Sequence, residues 1–373
     1  MAITVPAPKD PSLSPLFEPL KLGDVEVANR VFMAPLTRNR AHPDGTPSEI
    51  AVEYYRQRAS AGLIITEATQ ISPMGKGYIN TPGIHEDGHV AAWKKITDAV
   101  HAEGGKIALQ LWHVGRISHS SLLPDGAQPV APTAIRANAQ TVTGDGFVDV
   151  SEPRALKAEE IKALVRDYVV AARRAMEAGF DLVEVHAANG YLLNQFLVDR
   201  SNQRDDIYGG APENRARFLF EVLEAVTNEV GAGRVGVRLS PTGAFNDMGD
   251  TDPEATYGVV YEGLNRFDLA YLHVVEGDES GGAPAEDLAI IDRLRPLYKG
   301  VYIANSGFDA RRAADVIATG RTDAVTFGKP FISNPDLPAR FATNAALTEA
   351  DKATFYGGDE RGYTDYPFLD GAA

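Results

Sequence analysis

Short apolar segments alternate with longer amphipathic segments along most of the chain. The short segments are rich in β-branched residues, which favour strands, and eight strands are predicted at 31–36, 63–69, 106–112, 182–188, 235–240, 269–276, 301–306 and 323–329. The longer segments have apolar residues at helical spacing and predict helices at 49–62, 89–105, 159–179, 213–230, 253–265, 284–297, 309–319 and 336–346. The chain therefore alternates strand and helix eight times.

This alternation predicts a single α/β domain over residues 1–373, a (β/α)8 TIM barrel. The alternative is an open doubly wound sheet, which often carries the sequence G-x-G-x-x-G after its first strand. One such spacing exists, Gly231-x-Gly233-x-x-Gly236, but it follows a predicted helix and precedes a predicted strand. That order does not suit binding of a pyrophosphate, so the barrel is favoured and these glycines are interpreted as a helix stop and turn.

Three segments fall outside the repeat. Residues 1–15 contain four prolines and predict a loose N-terminal arm. Residues 16–30 alternate apolar and polar side chains around Gly23-Asp24, which predicts a hairpin. The connection after the third strand, 113–158, is long and contains a second predicted hairpin at 140–150. We expect this excursion to lie over the barrel mouth.

Composition excludes several classes of function. The formal net charge is −15, and an acidic surface disfavours nucleic acids and anionic membranes as partners. The sequence has no cysteine, which excludes disulfides, thiolate metal sites and a thiol nucleophile. The N-terminus has no signal-peptide pattern and the chain has no apolar run of about 18 residues. We therefore expect a cytoplasmic protein.

Polar residues collect after the fourth predicted strand. His186, Asn189 and Tyr191 follow one another closely there, and active sites of TIM barrels form at the carboxyl ends of the strands. An imidazole and a carboxamide can donate to one oxygen atom, and a phenol can deliver a proton. A buried histidine satisfied by the backbone, with a tyrosine in ordinary packing, is the alternative for each residue alone. Three such residues together favour a site.

Other strand ends carry further candidates. Gln110 and Trp112 close the third strand and Arg238 lies near the end of the fifth. Glu184 shares a face with His186 and needs a partner inside a barrel, for which Arg238 is the candidate. His273, on the sixth strand, is expected in the barrel interior.

The seventh and eighth strand ends indicate a phosphate site. Backbone N–H groups and helix starts after these two strands often bind phosphate in barrels. Glycine permits close backbone approach and lysine supplies charge, and the residues at these ends are Ser306, Gly307, Gly328 and Lys329. Turn glycines with a solvated lysine are the alternative. A phosphate-bearing heterocycle such as FMN fits this arrangement, although the pattern alone does not single it out.

Several motifs together resemble the Old Yellow Enzyme family, in particular its bacterial ene-reductases such as N-ethylmaleimide reductase and pentaerythritol tetranitrate reductase. The resemblance covers about residues 16–367. It rests on NRVFMAPLTRNR (29–40), AVEYYRQRASAGLIITEATQIS (51–72), AAWKKITDAVHAEGGKIALQLWHVGRISHSS (91–121), HAANGYLLNQFLVDRSNQRDDIYGG (186–210), ENRARF (213–218), VRLSP (237–241), FISNPDLP (331–338) and GYTDYP (362–367).

The resemblance implies non-covalent FMN, reduction by NADPH or NADH, and hydride transfer to the β-carbon of an activated alkene. His186 and Asn189 would bind the carbonyl or nitro oxygen, and Tyr191 would protonate the α-carbon. The residues implied around the flavin are Pro35, Thr37, Ala68, Gln110 and Arg238, with Ser306, Gly307, Gly328 and Lys329 on its phosphate. Those implied around the substrate are Tyr78, Trp112 and Tyr356. We expect small-molecule substrates and a monomer or homodimer.

Alternatives remain open at this level. Nitrate esters, nitroaromatics and quinones could use the same site. A Schiff-base aldolase on the same barrel would use Lys329 as its amine. A metal-dependent hydrolase needs converging ligands, whereas only His113, His186 and His273 lie in or beside predicted strands. No metal site is therefore predicted.

Overall fold

Eight parallel strands close into a barrel in the computed structural model, which describes residues 4–277 and 283–369. The strands are β1 (Val31–Met33), β2 (Ile64–Ile65), β3 (Ile107–Trp112), β4 (Leu182–Ala187), β5 (Val235–Leu239), β6 (Tyr271–Val275), β7 (Tyr302–Asn305) and β8 (Ala324–Phe327). Each strand pairs with the next, and β8 pairs with β1 to close the ring. The predicted TIM barrel is confirmed.

Helices follow the strands in the order that the sequence predicts. They are α1 (Ile50–Arg56), α2 (Asp87–Ala102), α3 (Ala158–Glu177), α4 (Leu192–Leu197), α5 (Pro212–Arg215), α6 (Arg217–Val230), α7 (Pro253–Leu264), α8 (Ala285–Leu294), α9 (Ala310–Ala318), α10 (Lys329–Ser333) and α11 (Leu337–Thr343). The predicted second strand is shorter than expected, because the chain leaves the sheet after Ile65 and pairs again with β3 only at Thr69–Gln70.

Side chains alternate along the strands and build two apolar layers. On β4, Val183 and Val185 belong to the main core between the barrel and the helices, whereas Leu182 belongs to a smaller cluster inside the barrel. Full burial of one such side chain contributes about 1.5–3 kcal/mol. The interior becomes polar towards the carboxyl end of β4, where Glu184 and His186 are both buried. The apolar filling therefore stops where the site begins.

The N-terminal region is more ordered than predicted. Pro11–Phe17 forms a 3-10 helix whose Leu13 and Leu16 are buried in the main core. The prediction of a loose arm over residues 1–15 was wrong for its second half, because two apolar side chains anchor it. Residues 1–3 lie outside the described residues. The predicted hairpin is present, with Leu20–Leu22 antiparallel to Val25–Val27.

The excursion after β3 folds back on itself. Its hairpin pairs Gln140–Thr143 with Gly146–Asp149, close to the predicted boundaries. The backbone N–H of Ile79 donates to the carbonyl of Val142 at 2.9 Å, and the Ser118 hydroxyl donates to the carbonyl of Lys76 at 2.7 Å. The excursion thus fixes the segment that carries Tyr78. No helix in the described ranges is long and apolar enough to cross a membrane.

Candidate active site

The tight turn after β4 brings the three predicted catalytic residues together. The strand ends at Ala187, and Asn189 and Gly190 adopt left-handed backbone conformations with φ of 57° and 77°. Asparagine and glycine tolerate this region better than other residues. Tyr191 then precedes α4. Its ring centroid lies 5.0 Å from that of His186, in an edge-on contact.

His186 is held as a neutral hydrogen-bond donor. Its Nδ1 accepts the backbone N–H of Ala188 at 3.3 Å, so the proton of the neutral imidazole resides on Nε2. Burial, the nearby Arg238 charge and His273 hold the pKa of His186 well below its ordinary value. The ring therefore offers the same single N–H donor across the physiological pH range.

Asn189 is fixed through its backbone and leaves its side chain available. Its N–H donates to the Ser240 hydroxyl at 2.8 Å, and its carbonyl accepts from the Asn246 amide at 2.9 Å. Its own carboxamide makes no hydrogen bond with any residue in the described ranges. A second donor, three positions after His186 in the same turn, is thus available to a ligand.

Tyr191 is packed into an aromatic cluster with the predicted substrate residues. The Trp112 ring meets it edge-on at 5.0 Å between centroids, and Tyr78 stacks on Trp112 at 5.8 Å. The Tyr191 hydroxyl lies 3.3 Å from that of Tyr78. Burial and the Tyr78 phenol raise the pKa of Tyr191 well above its ordinary value. The phenol consequently keeps its proton at neutral pH.

Tyr356 lies at the outer edge of this cluster. Its side chain is 68% exposed, and its phenol is near enough to Tyr191 to contribute to raising the pKa of that residue. The C-terminal segment therefore reaches the mouth of the site. The predicted role of Tyr356 in lining the substrate pocket stays a prediction.

Below the turn lies a buried chain of hydrogen bonds, which we call the interior network: Gln110, Glu184, His273 and Thr326. Gln110 Nε2 donates to Glu184 Oε1 at 2.7 Å, and the other carboxylate oxygen lies 2.8 Å from His273 Nδ1. His273 Nε2 lies 2.9 Å from the Thr326 hydroxyl. Arg238, the predicted partner of Glu184, acts on it through its charge and not through a hydrogen bond, because its guanidinium donates to Asn305 at 2.8 Å.

The negative charge of Glu184 in the interior network is balanced by the positive charge of Arg238. Burial acts to raise the pKa of Glu184, but His273, the Arg238 charge and the Gln110 amide outweigh it, so the pKa of Glu184 is lowered. Burial lowers the pKa of His273, which leaves this histidine neutral with Nδ1–H directed at the carboxylate. One ionised carboxylate therefore faces one guanidinium. His273 was predicted only as an interior residue, and no local pattern pointed to its partner 89 positions away.

Two polar atoms here lack partners within the described part of the chain. Arg238 Nε is buried without an acceptor, and the Gln110 carbonyl oxygen receives no hydrogen bond. A buried donor without a partner costs about 1–3 kcal/mol. Gln110 and Arg238 lie on the two strands that flank β4. A donor and an acceptor at these positions suit a ligand edge that offers both carbonyl and N–H groups, as the pyrimidine ring of a flavin does. The residues present thus fit the cofactor.

Solved structures share this fold over nearly the whole chain. Morphinone reductase is 50% identical with a TM-score of 0.92, covering 100% of this chain and 98% of that one. An old yellow enzyme homologue from Zymomonas mobilis is 45% identical with a TM-score of 0.91, and the match covers 95% of this chain and 99% of that one. The model of the NADH:flavin oxidoreductase / NADH oxidase family matches residues 15–348. The chain belongs to the Old Yellow Enzyme family.

Curated relatives match at similar breadth. 12-Oxophytodienoate reductase 2 from Arabidopsis thaliana is 43% identical over 368 residues, 96% of this chain and 97% of that protein. A probable flavin mononucleotide-dependent alkene reductase from Leishmania infantum is 44% identical over 363 residues, which cover 96% of this chain and 98% of that protein. The protein is thus an NAD(P)H-dependent flavin oxidoreductase that uses FMN, as the sequence predicts.

The Old Yellow Enzyme resemblance assigns further residues to the flavin, and the structure places them at adjacent strand ends. Pro35 and Thr37 are half-buried after β1, and Ala68 is buried after β2. Ser306 is buried after β7, followed by an exposed Gly307 with a φ of 47°. After β8, Gly328 precedes α10 and Lys329 is its exposed first residue. Their contacts with the cofactor stay predictions.

Sequence reasoning missed a second buried cluster, which we call the C-terminal clamp: Arg38, Arg40, Glu67 and the segment 354–363. Arg38 Nε donates to the carbonyl of Phe355 at 2.7 Å, and Nη2 donates to that of Gly362 at 2.8 Å. Arg40 Nε donates to the carbonyl of Asp359 at 3.0 Å. The Arg-x-Arg spacing directly after an apolar strand was the available signal, since arginines in such a place need acceptors.

Proposed function

We propose that this Old Yellow Enzyme family member reduces the C=C bond of activated alkenes, namely α,β-unsaturated carbonyl compounds, maleimides and nitroalkenes. The observation that carries the proposal is the turn after β4. It gathers a neutral imidazole N–H on His186, a protonated phenol on Tyr191 and the Asn189 amide, which has no hydrogen-bond partner among the residues that the structure describes. FMN, reduced by NADPH or NADH, supplies the hydride when bound.

His186 and Asn189 hold the activating oxygen of the substrate. Both side chains donate hydrogen bonds to it, and those bonds strengthen as negative charge develops during hydride transfer. Donors that are already oriented need no reorganisation, and loss of one such donor typically costs about 100–1000-fold in rate. Burial keeps the His186 donor neutral, so it does not compete by transferring a proton.

Tyr191 delivers the proton to the α-carbon. Its pKa is raised by burial and by Tyr78, so the phenol retains its proton until a strongly basic carbon centre forms beside it. The Trp112 and Tyr78 rings restrain its ring and form an aromatic wall along the site. A planar conjugated substrate fits such a wall.

The cofactor is held by residues around the barrel rim. Gln110 and Arg238 would bind the pyrimidine edge, and Thr37, Pro35 and Ala68 would contact the rest of the ring. The phosphate binds after β7 and β8, at Ser306, Gly307, Gly328 and Lys329. Gly307 suits this role because its left-handed φ of 47° is open to glycine.

The test separates the two half-reactions of Tyr191→Phe by stopped-flow absorbance of the flavin. Reduction by NADPH should be unchanged, while reoxidation by 2-cyclohexenone should slow by about 100-fold or more, as expected for loss of a general acid. Tyr208→Phe is the matched control, since that hydroxyl donates to the half-buried Glu221 at 3.0 Å. Equal loss in both half-reactions would refute the proton-donor role.

Nitrate esters, nitroaromatics and quinones are the second candidates for this site. Their oxygens accept the same two hydrogen bonds, so a panel of oxidants in the reoxidation step ranks them against alkenes. A Schiff-base aldolase is disfavoured, because Lys329 is exposed whereas an amine nucleophile needs a desolvated site or a cationic neighbour. A cytoplasmic location and a monomer or homodimer remain predictions.

A further inference from the structure

We infer that Glu184 is a positioning residue: it fixes the Gln110 amide in the one orientation that presents oxygen, not nitrogen, to the flavin. The inference rests on the proposed contact between Gln110 and the pyrimidine ring. It assigns a function to a buried carboxylate that takes no part in the proposed chemistry. Glu184 and Gln110 are direct neighbours in the register of β4 and β3.

The two ends of a glutamine amide have the same shape and differ only in hydrogen bonding. An ionised carboxylate accepts hydrogen bonds and donates none. The 2.7 Å contact with Glu184 Oε1 therefore requires the NH2 group of Gln110 on that side. The carbonyl oxygen is left on the other side, where no residue in the described ranges donates to it.

Glu184 is itself immobilised from across the barrel. Its second oxygen receives Nδ1–H of His273 at 2.8 Å, and Thr326 donates to the opposite ring nitrogen at 2.9 Å. Glu184 and His273 are both fully buried. Strands β3, β4, β6 and β8 are thus joined through side chains, and the Gln110 amide has no room to exchange its ends without breaking this chain.

The orientation of the Gln110 amide decides which groups of the flavin it can bind. An oxygen at Gln110 would accept an imide N–H, while Arg238 Nε, which has no acceptor in the described part of the chain, would donate to an adjacent ring carbonyl. The pyrimidine edge of a flavin offers these two groups next to each other. With the amide reversed, the NH2 group of Gln110 would face the imide N–H of the flavin, and the ring would lose one hydrogen bond. The Glu184 charge also opposes the negative charge that the ring gains on reduction.

The test compares FMN binding and the flavin reduction potential in Glu184→Gln and the wild type. A glutamine at 184 can donate as well as accept, so the Gln110 amide is no longer fixed. The dissociation constant of FMN, from fluorescence quenching on titration of the apoprotein, should rise about tenfold, as for loss of one hydrogen bond. The reduction potential should become more positive. Glu276→Gln is the matched control: that carboxylate is equally buried but bonds Tyr302 and Arg321, and both quantities should stay unchanged.

A double variant distinguishes positioning from general damage. In a Gln110→Ala background, Glu184→Gln should raise the FMN dissociation constant less than about twofold further, because the amide to be oriented is gone. Additive effects in the two variants would overturn the inference. Unchanged affinity and potential in Glu184→Gln, with weakened binding in Gln110→Ala, would also overturn it while leaving the proposed function intact. Unchanged binding in Gln110→Ala would instead contradict the proposed flavin contact.

His273 variants keep the inference testable should Glu184→Gln not fold. His273→Leu removes the donor that holds Glu184 and should weaken FMN binding, whereas His273→Gln restores an N–H donor and should recover most of the affinity. Equal affinity in the leucine and glutamine variants would show that the His273–Glu184 bond does not control Gln110.

Discussion

The interior network and the C-terminal clamp each bury one carboxylate near arginine side chains, yet the two carboxylates differ in charge. The pKa of Glu184 is lowered, whereas burial raises the pKa of Glu67 to about 7 against weaker opposing effects of Arg38 and Arg40. Side-chain donors at 2.7 and 2.8 Å reach both oxygens of Glu184. Glu67 receives the backbone N–H of Arg38 at 3.3 Å.

The arginines of the clamp face other acceptors. Arg38 and Arg40 direct their guanidinium groups at backbone carbonyls of the C-terminal segment. The Tyr54 and Tyr363 rings stack with their centroids 4.0 Å apart, and the Arg58 guanidinium carbon lies 3.8 Å from the Tyr54 ring centroid. At Glu184 nearby charges and two side-chain hydrogen bonds together outweigh burial, whereas at Glu67 one backbone hydrogen bond and the charges of Arg38 and Arg40 do not. In the proposal above, the interior network orients a cofactor contact, whereas the clamp holds the segment that carries Tyr356.

The largest effect is expected from breaking the clamp. Arg38→Met removes donors from three backbone carbonyls and from the Tyr54 hydroxyl. Hydrogen bonds to charged groups contribute about 1.5–3 kcal/mol each, but removing Arg38 also relieves the cost of burying its charge. The free energy of unfolding should therefore fall by roughly 3–5 kcal/mol. Urea unfolding of the holoenzyme measures this loss, and trypsin should cut faster after the exposed Arg361. Arg311→Met, at a surface ion pair with Asp10, is the control and should change little. Equal stability of the two variants would mean that the clamp does not hold the segment.

Breaking the interior network should cost less, because Gln110 and Arg238 still act on the carboxylate. His273→Leu should lower the free energy of unfolding by about 2–4 kcal/mol, since it removes one partner of a buried charged group. In Glu184→Leu/His273→Leu both polar groups are gone, so the double variant should be more stable than the sum of the single losses predicts. Additive losses would show that the two residues do not form one unit.

The pH dependence of stability should differ in sign between the two carboxylates. Between pH 4.5 and about 7 the folded protein keeps a proton on Glu67 that the unfolded chain releases, so this residue makes stability fall as pH rises. Glu67→Gln removes that fall, and its stability relative to wild type should rise across this window by roughly 2–4 kcal/mol, at about 1.4 kcal/mol per pKa unit. Urea unfolding between pH 4.5 and 8 measures the difference.

Glu184→Gln tests the opposite pH dependence expected for the second carboxylate. Its deficit in stability should be largest at neutral pH and should shrink in acid, as wild-type Glu184 becomes protonated below its ordinary pKa. Only difference curves are informative, because burial lowers the pKa of His113 to about 3, which makes wild-type stability rise with pH over much of the same window. Parallel difference curves for the two variants would contradict the assigned charges.

Local sequence patterns predicted the part of the site that is formed by residues close together in the chain. His186, Asn189 and Tyr191 lie within six positions, so strand alternation and one turn suffice to bring them together. The contact of Arg38 with Gly362 joins residues 324 positions apart, and that of Glu184 with His273 spans 89. Such pairs depend on which strands become neighbours and how far side chains reach across the barrel. The family resemblance gave the chemistry of the site but not these buried connections.

The smallest effect should come from the Tyr363 hydroxyl. This group is buried without a partner in the described part of the chain, whereas its ring stacks on Tyr54 and lies within 4.5 Å of the Arg40 guanidinium. Tyr363→Phe keeps the stacking and removes an unsatisfied polar atom, so the free energy of unfolding should stay within about 0.5 kcal/mol of wild type or rise slightly. Tyr54→Phe is the matched comparison, because it deletes the acceptor of an Arg38 bond at 3.3 Å and should be the less stable variant. If Tyr363→Phe were the more damaging of the two, the clamp would depend on a hydroxyl contact instead of on stacked rings and backbone carbonyls.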